Sequence, residues 1–217
     1  MKSVILIAAP AAGKGTEAAL LKEQYKIPHI STGDILREKS LEDSDLGRDI
    51  KNKIDNGIFV SDELIINILK DRIQKEDCNN GYILDGFPRN VAQAEAYSLM
   101  LKELGKELGV VIVIDVDKNQ AAKRIAGRLS CPNCKEVYSL VAKEMSPKQE
   151  GICDKCGEKL VKRVDDNEET YMDRYNTYIE KTSPLIDYYE KQNVVYHVDG
   201  NGEISKTHEQ VVKILGE

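Results

Sequence analysis

The chain opens on an apolar run, residues 4–9, with no polar position in it. A β-branched and aliphatic run of that length suits a parallel strand covered on both faces. Residues 82–86 and 110–116 read the same way, the former with a polar end, and 194–198 supply a last strand. Residues 26–30 are a shorter strand candidate, whose Pro28 belongs near an end or edge. Between these runs the spacing turns helical. Residues 16–24 predict a helix with Ala18, Ala19, Leu20 and Leu21 inward, and Ser61-Asp62-Glu63 caps a helix carrying Leu64, Ile65, Ile68, Leu69 and Ile73. Further helices are predicted over 91–105, 118–125, 166–181 and 205–215.

Strands alternating with helices predict an α/β fold, an open parallel five-stranded sheet flanked by helices. Two segments break the rhythm. In 31–60, Ser31, Thr32 and Asp34 offer helix caps, and Leu46, Ile50 and Ile54 recur at four-residue spacing until Gly57. In 127–164 a cysteine module intervenes. We therefore expect a core of 1–30, 61–126 and 165–217 carrying two inserted subdomains. In such sheets ligands gather beyond the carboxyl ends of the strands, within reach of both inserts.

Composition narrows the class. Of 217 residues, 41% are hydrophobic and 31% charged, ordinary for a globular chain with a real core, and the net charge is −6. That balance argues against a nucleic-acid or membrane-surface binder, while local arginines can still hold phosphates. The first apolar run is too short to span a bilayer. It resembles the core of an export signal, but the Gly-Lys-Gly behind it fits a loop after a buried strand, so a cytoplasmic protein is expected.

Ala8-Ala9-Pro10-Ala11-Ala12-Gly13-Lys14-Gly15-Thr16 joins the first strand to the first helix. This is the layout of a phosphate loop. Backbone N–H groups and the helix N-terminus cradle phosphate, and a lysine reaches the β and γ oxygens. Ala8 stands in place of the first glycine, and the hydroxyl comes at Thr16, one residue late. Asp85 ends a buried strand, where a carboxylate can hold Mg²⁺ directly or through water.

With Ser31-Thr32-Gly33-Asp34, then Arg37, and the run Leu84-Asp85-Gly86-Phe87-Pro88-Arg89-Asn90-Val91-Ala92-Gln93, the chain resembles the adenylate kinase family essentially end to end. The resemblance implies reversible phosphoryl transfer from Mg·ATP to AMP, giving two ADP. It implies an AMP-binding helical subdomain at 31–60, a lid over ATP at 127–164, and a monomeric enzyme whose partners are nucleotides. Carried over by position, ATP would meet Pro10, Ala11, Ala12, Gly13, Lys14, Gly15, Thr16, Arg124, Arg128, Tyr138 and Gly202. AMP would meet Thr32, Gly33, Arg37, Val60, Gly86, Arg89, Gln93, Arg163 and Arg174, with Gln93 reading adenine. Lys14, Arg89, Arg124, Arg128, Arg163 and Arg174 would balance the charge of the transferred group. Asp85 would orient Mg²⁺ through water, and Asp165 and Asp166 match an acidic pair between lid and core.

The chemistry supports this independently, because phosphoryl transfer needs two anions held in line and their charge balanced. Arginines are scarce here, at positions 37, 48, 72, 89, 124, 128, 163 and 174. Six fall on the motifs, where a forked guanidinium suits phosphate oxygens better than lysine. Arg48 and Arg72 fit surface salt bridges. The chain departs from the family at Ala8 and Ala11, where glycine is usual, at Leu129 for a frequent arginine, and at Ser139 for a frequent histidine. A Cβ at a position needing positive φ would be costly. Competing readings are a kinase for another nucleoside monophosphate, a P-loop ATPase or GTPase, and a zinc-ribbon nucleic-acid module. The chain lacks the Asn-Lys-x-Asp segment of GTPases, and the segment Lys135 to Lys162 has mixed charge and no dense basic-aromatic surface.

Cys131-Pro132-Asn133-Cys134 and Cys153-Asp154-Lys155-Cys156 form two knuckles separated by eighteen residues. Four such thiolates can surround Zn²⁺ tetrahedrally, with no position left open for substrate, which points to a structural metal. Lys135 and Gly157, after the second cysteine of each knuckle, suit turns beside metal-bound sulfur. Too few apolar residues lie between the knuckles to form an independent core. Cys78 stands apart as a buried or partly buried thiol.

Overall fold

The computed structural model describes residues 3–55, 60–162 and 166–216. Its elements, in chain order, are β1 (Val4–Ala8), α1 (Lys14–Tyr25), β2 (His29–Ser31), α2 (Thr32–Lys39), α3 (Asp45–Asp55), α4 (Asp62–Ile73), β3 (Ile83–Asp85), α5 (Val91–Glu103), β4 (Val110–Asp115), α6 (Lys118–Ala126), β5 (Arg128–Ser130), β6 (Val137–Ser139), α7 (Glu168–Thr177), α8 (Pro184–Glu190), β7 (Val195–Asp199) and α9 (Ile204–Leu215). Five strands form one parallel sheet in the order β2-β3-β1-β4-β7. Val4 registers with Ile83, which registers on its other side with His29. β2 is an edge strand, and Pro28 lies just before it, as the sequence predicts.

The apolar runs are buried as their pattern requires. All five residues of β1 are buried, as are Val111 to Ile114 of β4. The caps follow from side-chain chemistry. Ser31, Ser61 and Asn90 each accept the N–H three residues on and so start α2, α4 and α5.

The chain divides into two compact units. One comprises residues 1–7, 18–112 and 181–196, and the other residues 8–17, 113–180 and 197–217. The expected AMP-binding insert falls within the first and the expected lid within the second.

Several expectations need correction. Ala18 and Leu21 of α1 are buried, but Ala19 is exposed and Leu20 only half-buried. The buried neighbour on that face is Glu17, at 2% exposure. In α3, Ile50 is fully buried whereas Leu46 is 41% exposed. Gly57 lies outside the described residues. The single helix predicted over 166–181 is α7, capped by Asn167, and a π-helical turn at Tyr178–Thr182; beyond it α8, with Pro184 at its first position, was not predicted. The short antiparallel pair β5–β6 was not predicted.

Candidate active site and cysteine centre

In the second unit, the phosphate loop leaves β1 and enters α1. The Ala12 N–H bonds the Ala9 carbonyl at 3.2 Å, closing the turn, and Lys14 Nζ donates to the Ala8 carbonyl at 3.2 Å. Ala8 has ordinary strand backbone, but Ala11 sits at φ 61° and Gly13 at φ 103°. The alanine at position 11 thus carries a Cβ in the left-handed region, the strained outcome weighed from the sequence. A Cβ built on Gly13, Gly15 or Gly202 meets no atom within 4 Å. These glycines leave open backbone rather than avoid a clash within the protein.

Arg124 on α6 donates to the Gly200 carbonyl at 2.7 Å and lies 3.5 Å from that of Ala12. Burial lowers its pKa, against the opposing pull of Asp199. Arg128 opens β5 and grips Asp166 with two bonds, one from Nε at 2.8 Å. Asp166 is 1% exposed, so this fork compensates a buried carboxylate. Arg174 is exposed on α7. Arg163 and Asp165 lie outside the described residues. Glu17, directly after Thr16, bonds His208 of α9 at 2.8 Å. Burial pushes the Glu17 carboxyl above its ordinary value, and His208 only partly offsets this. Nothing in the sequence pairs two residues so far apart.

In the first unit, the carboxyl ends of β2 and β3 bring Thr32, Gly86 and Arg89 together. Thr32 Oγ1 and Arg89 Nε both donate to the Gly86 carbonyl, at 3.0 and 2.8 Å. Gly86 itself is at φ 77°, where a side chain would be strained. A Cβ there would lie 3.3 Å from the Thr32 hydroxyl, and one on Gly33 would lie 3.3 Å from the Arg37 guanidinium. Arg37 pairs with Asp34. Burial raises the Asp34 carboxyl, but hydrogen bonds from Arg37 and Ser31 outweigh it and leave the pKa below its ordinary value. Gln93 is 4% exposed, with its amide engaged at both ends. Its Oε1 accepts the Arg89 N–H at 2.7 Å and its Nε2 donates to Asp62 at 2.5 Å. The sequence pattern marks Asp62 only as part of a cap. Asp85 lies 3.4 Å from His29 Nε2, a neighbour that sequence reading passed over. Val60 is buried. An apolar crevice is lined by Thr32, Ile35, Leu36, Ile65, Ile68 and Leu69. Arg48 pairs with Asp43 and Asp45, and Arg72 with Asp77, the salt bridges expected of them. Cys78 is buried, with Arg72 donating to its sulfur at 3.0 Å.

The four knuckle cysteines converge in the second unit. All four sulfurs lie within 4.8 Å of one another, with approaches of 3.4, 3.4 and 3.5 Å. A disulfide needs about 2.05 Å. Tetrahedral zinc at about 2.3 Å from each sulfur places them about 3.8 Å apart, so the donor set fits that ion. Lys135 at φ 64° and Gly157 at φ 76° make the turns expected behind each knuckle. Each returns its N–H to the first cysteine's carbonyl. Cys131, Cys153, Tyr138 and Leu160 form a small buried cluster. The Tyr138 hydroxyl accepts the Asp154 N–H at 2.8 Å and lies 3.5 Å from Cys153 Sγ, so this side chain belongs to the cysteine centre.

A phosphate loop at the end of a buried strand of a five-stranded parallel sheet places the protein among P-loop nucleotide-phosphate-binding proteins. The family model described as adenylate kinase matches residues 6–194, and the chain belongs to that family. Similar proteins include the adenylate kinases of Caldicellulosiruptor bescii, Archaeoglobus fulgidus and Clostridioides difficile. Each is 46% identical over 213 residues, covering 98% of this chain and 97–98% of its own. Among the described residues, no helix is long and apolar enough to cross a membrane.

Proposed function

We propose how this chain's residues carry the reaction of its family, the reversible transfer of the terminal phosphoryl group from Mg·ATP to AMP. ATP phosphates lie along Ala11 to Thr16, where Gly13 and Gly15 leave the backbone open to them and the N-terminus of α1 favours negative charge. Lys14 leaves the Ala8 carbonyl for the β and γ oxygens. Arg124, anchored to Gly200, flanks the nucleotide beside Gly202. AMP phosphate takes Arg37 and Arg89, its adenine takes Gln93, and the apolar wall of Ile35, Leu36 and Ile65 faces the base. Arg128, Arg163 and Arg174 gather on the transferred group. Asp85 is the carboxylate suited to hold Mg²⁺ through water, and the bound ion would offset the charge of the phosphates. The subdomain at 31–60 closes on AMP and the lid at 127–164 on ATP, keeping water from the reaction.

The four cysteines would hold one Zn²⁺ that stabilises the lid and takes no part in chemistry. A four-sulfur set leaves no coordination position open, which supports a folding role. The enzyme works as a cytoplasmic monomer on free nucleotides, and its net charge of −6 argues against nucleic-acid partners.

The observation that carries the acceptor assignment is the network at the end of β3, where Thr32, Arg89 and Gln93 meet around Gly86 and α5 begins. A coupled assay for ADP formation from Mg·ATP with AMP, UMP, CMP and GMP in turn tests it. AMP is the expected acceptor. Equal rates with UMP or GMP would overturn the AMP assignment, and ATP hydrolysis without any acceptor would overturn the transfer itself.

A further inference from the structure

Two consecutive lid residues reach out of the lid and touch other parts of the second unit at separate points. Lys143–Met145 is one 3₁₀ turn following β6. It is tied to its own strand. Ser139 Oγ accepts the N–H groups of Val141 and Ala142 at 3.2 and 3.0 Å, and Ser146 Oγ donates to the Ser139 carbonyl at 3.3 Å. From this base, Glu144 Oε2 accepts the Ile204 N–H at 2.9 Å. Met145 Sδ accepts the Thr16 hydroxyl at 3.7 Å.

Ile204 is the first residue of α9, and Glu203 before it makes no side-chain cap. First-turn amides lack an intrahelical acceptor and form the positive end of the helix dipole. Glu144 therefore supplies, from sixty residues away, the cap that α9 lacks. The loop it docks on includes Gly200, held by Arg124, and Gly202. Thr16 lies at the phosphate end. A single lid turn thus marks both ends of the ATP footprint assigned above.

We propose that Glu144 is a positioning residue that latches the lid down over ATP through the N-terminus of α9. This rests on the reading of 127–164 as the ATP lid. The bond favours the docked lid and so lends affinity to ATP without touching AMP. Met145 yields its contact when phosphates claim the Thr16 hydroxyl, as its flexible thioether allows without moving the turn.

The test combines amide hydrogen exchange at Ile204 with steady-state kinetics on the intact, metal-replete enzyme. Glu144→Ala should abolish protection at Ile204 and raise the KM for Mg·ATP about three- to tenfold. The KM for AMP should hold and kcat should change less than about twofold, the pattern of lost uniform binding. Glu144→Gln keeps an acceptor oxygen without the charge and should restore part of both effects. Glu144 is exposed, so loss of fold is not the expected outcome, and a melting curve on each variant checks it. Ile204 exchanging equally fast in the wild type and Glu144→Ala would refute the latch. Lost protection with an unmoved KM for Mg·ATP would show the cap without the positioning role, and would locate the fault in the lid reading. A parallel rise in both KM values would also overturn the proposal.

Discussion

Ala8 and Ala11 stand three residues apart on one loop, and the same substitution at each should move stability in different directions. Ala8 ends β1, is 5% exposed and has strand backbone. Ala11 is half-buried against the Ala121, Ile125 and Tyr171 cluster, at φ 61°. Changing either to glycine removes one methyl, worth about 0.8 kcal/mol when fully buried. Either change also loosens the unfolded chain, a further cost of about 0.5–1 kcal/mol. At Ala8 these costs stand alone, so Ala8→Gly should destabilise by about 1–2 kcal/mol. At Ala11 the substitution also relieves left-handed strain of about 1–2 kcal/mol. Ala11→Gly should therefore be near neutral or stabilising. Because the entropy cost is shared and the methyl cost is smaller at half-buried Ala11, most of the difference between the variants is the strain, about 1–2 kcal/mol. For a chain of this size that separates the melting temperatures by about 2–8 °C. The chain has no tryptophan, so the melts are best followed by far-UV circular dichroism. If Ala11→Gly loses as much as Ala8→Gly, the strain argument fails.

Arg89→Lys should lower kcat/KM for AMP about ten- to 150-fold, because a point charge replaces a fork that also braces the Gly86 carbonyl. Unchanged AMP kinetics would place Arg89 outside the acceptor site. Cys153→Ser should lower zinc content from about one per chain and lower the melting temperature, while some kinase activity survives in the cold. Metal analysis beside a melting curve decides it, and an equally stable metal-free wild type with four free thiols would refute the zinc assignment. Glu17→Gln should raise the melting temperature at pH 8 and leave it unchanged at pH 4. Burial raises the Glu17 pKa above 4.5, so its contribution is fully present below that value and lost as pH rises through the folded pKa. Equal melting of Gln variant and wild type at both pH values would contradict this.

What the sequence made legible follows from which forces are local. The buried strands, the capped helix starts and the cysteine knuckles depend on residues a few positions apart, and all four knuckle thiols meet as their spacing implies. β5 and β6 are three residues each, too short for a period to register, and the core beside them is the small cluster of Cys131, Tyr138, Cys153 and Leu160. The long helix predicted over 166–181 holds as α7 and gives way only in its last positions, because the apolar pattern continues into the π turn that backbone geometry reveals. Apolar spacing points Ala19 inward, whereas the buried side chain there is the carboxyl of Glu17, held by His208, 191 positions distant. The Gln93–Asp62 and Glu144–Ile204 bonds are likewise pairings across long separations, and no local spacing announces them.

On the proposed assignment of Gln93 to the acceptor base, its amide bears on how bases would be told apart. Its carbonyl and its NH₂ are both satisfied inside the protein, by the Arg89 N–H and by Asp62. A nucleobase arriving at Gln93 therefore exchanges bonds rather than adds them. An adenine that presents a matching edge roughly breaks even there, and its grip must come from the phosphate and the apolar wall. A base with the wrong edge strands a buried donor or acceptor, at about 1–3 kcal/mol. On that assignment the glutamine would act as a filter more than as an anchor, penalising misfits by up to about a hundredfold while lending little to tightness, so that selectivity and affinity would be separately adjustable.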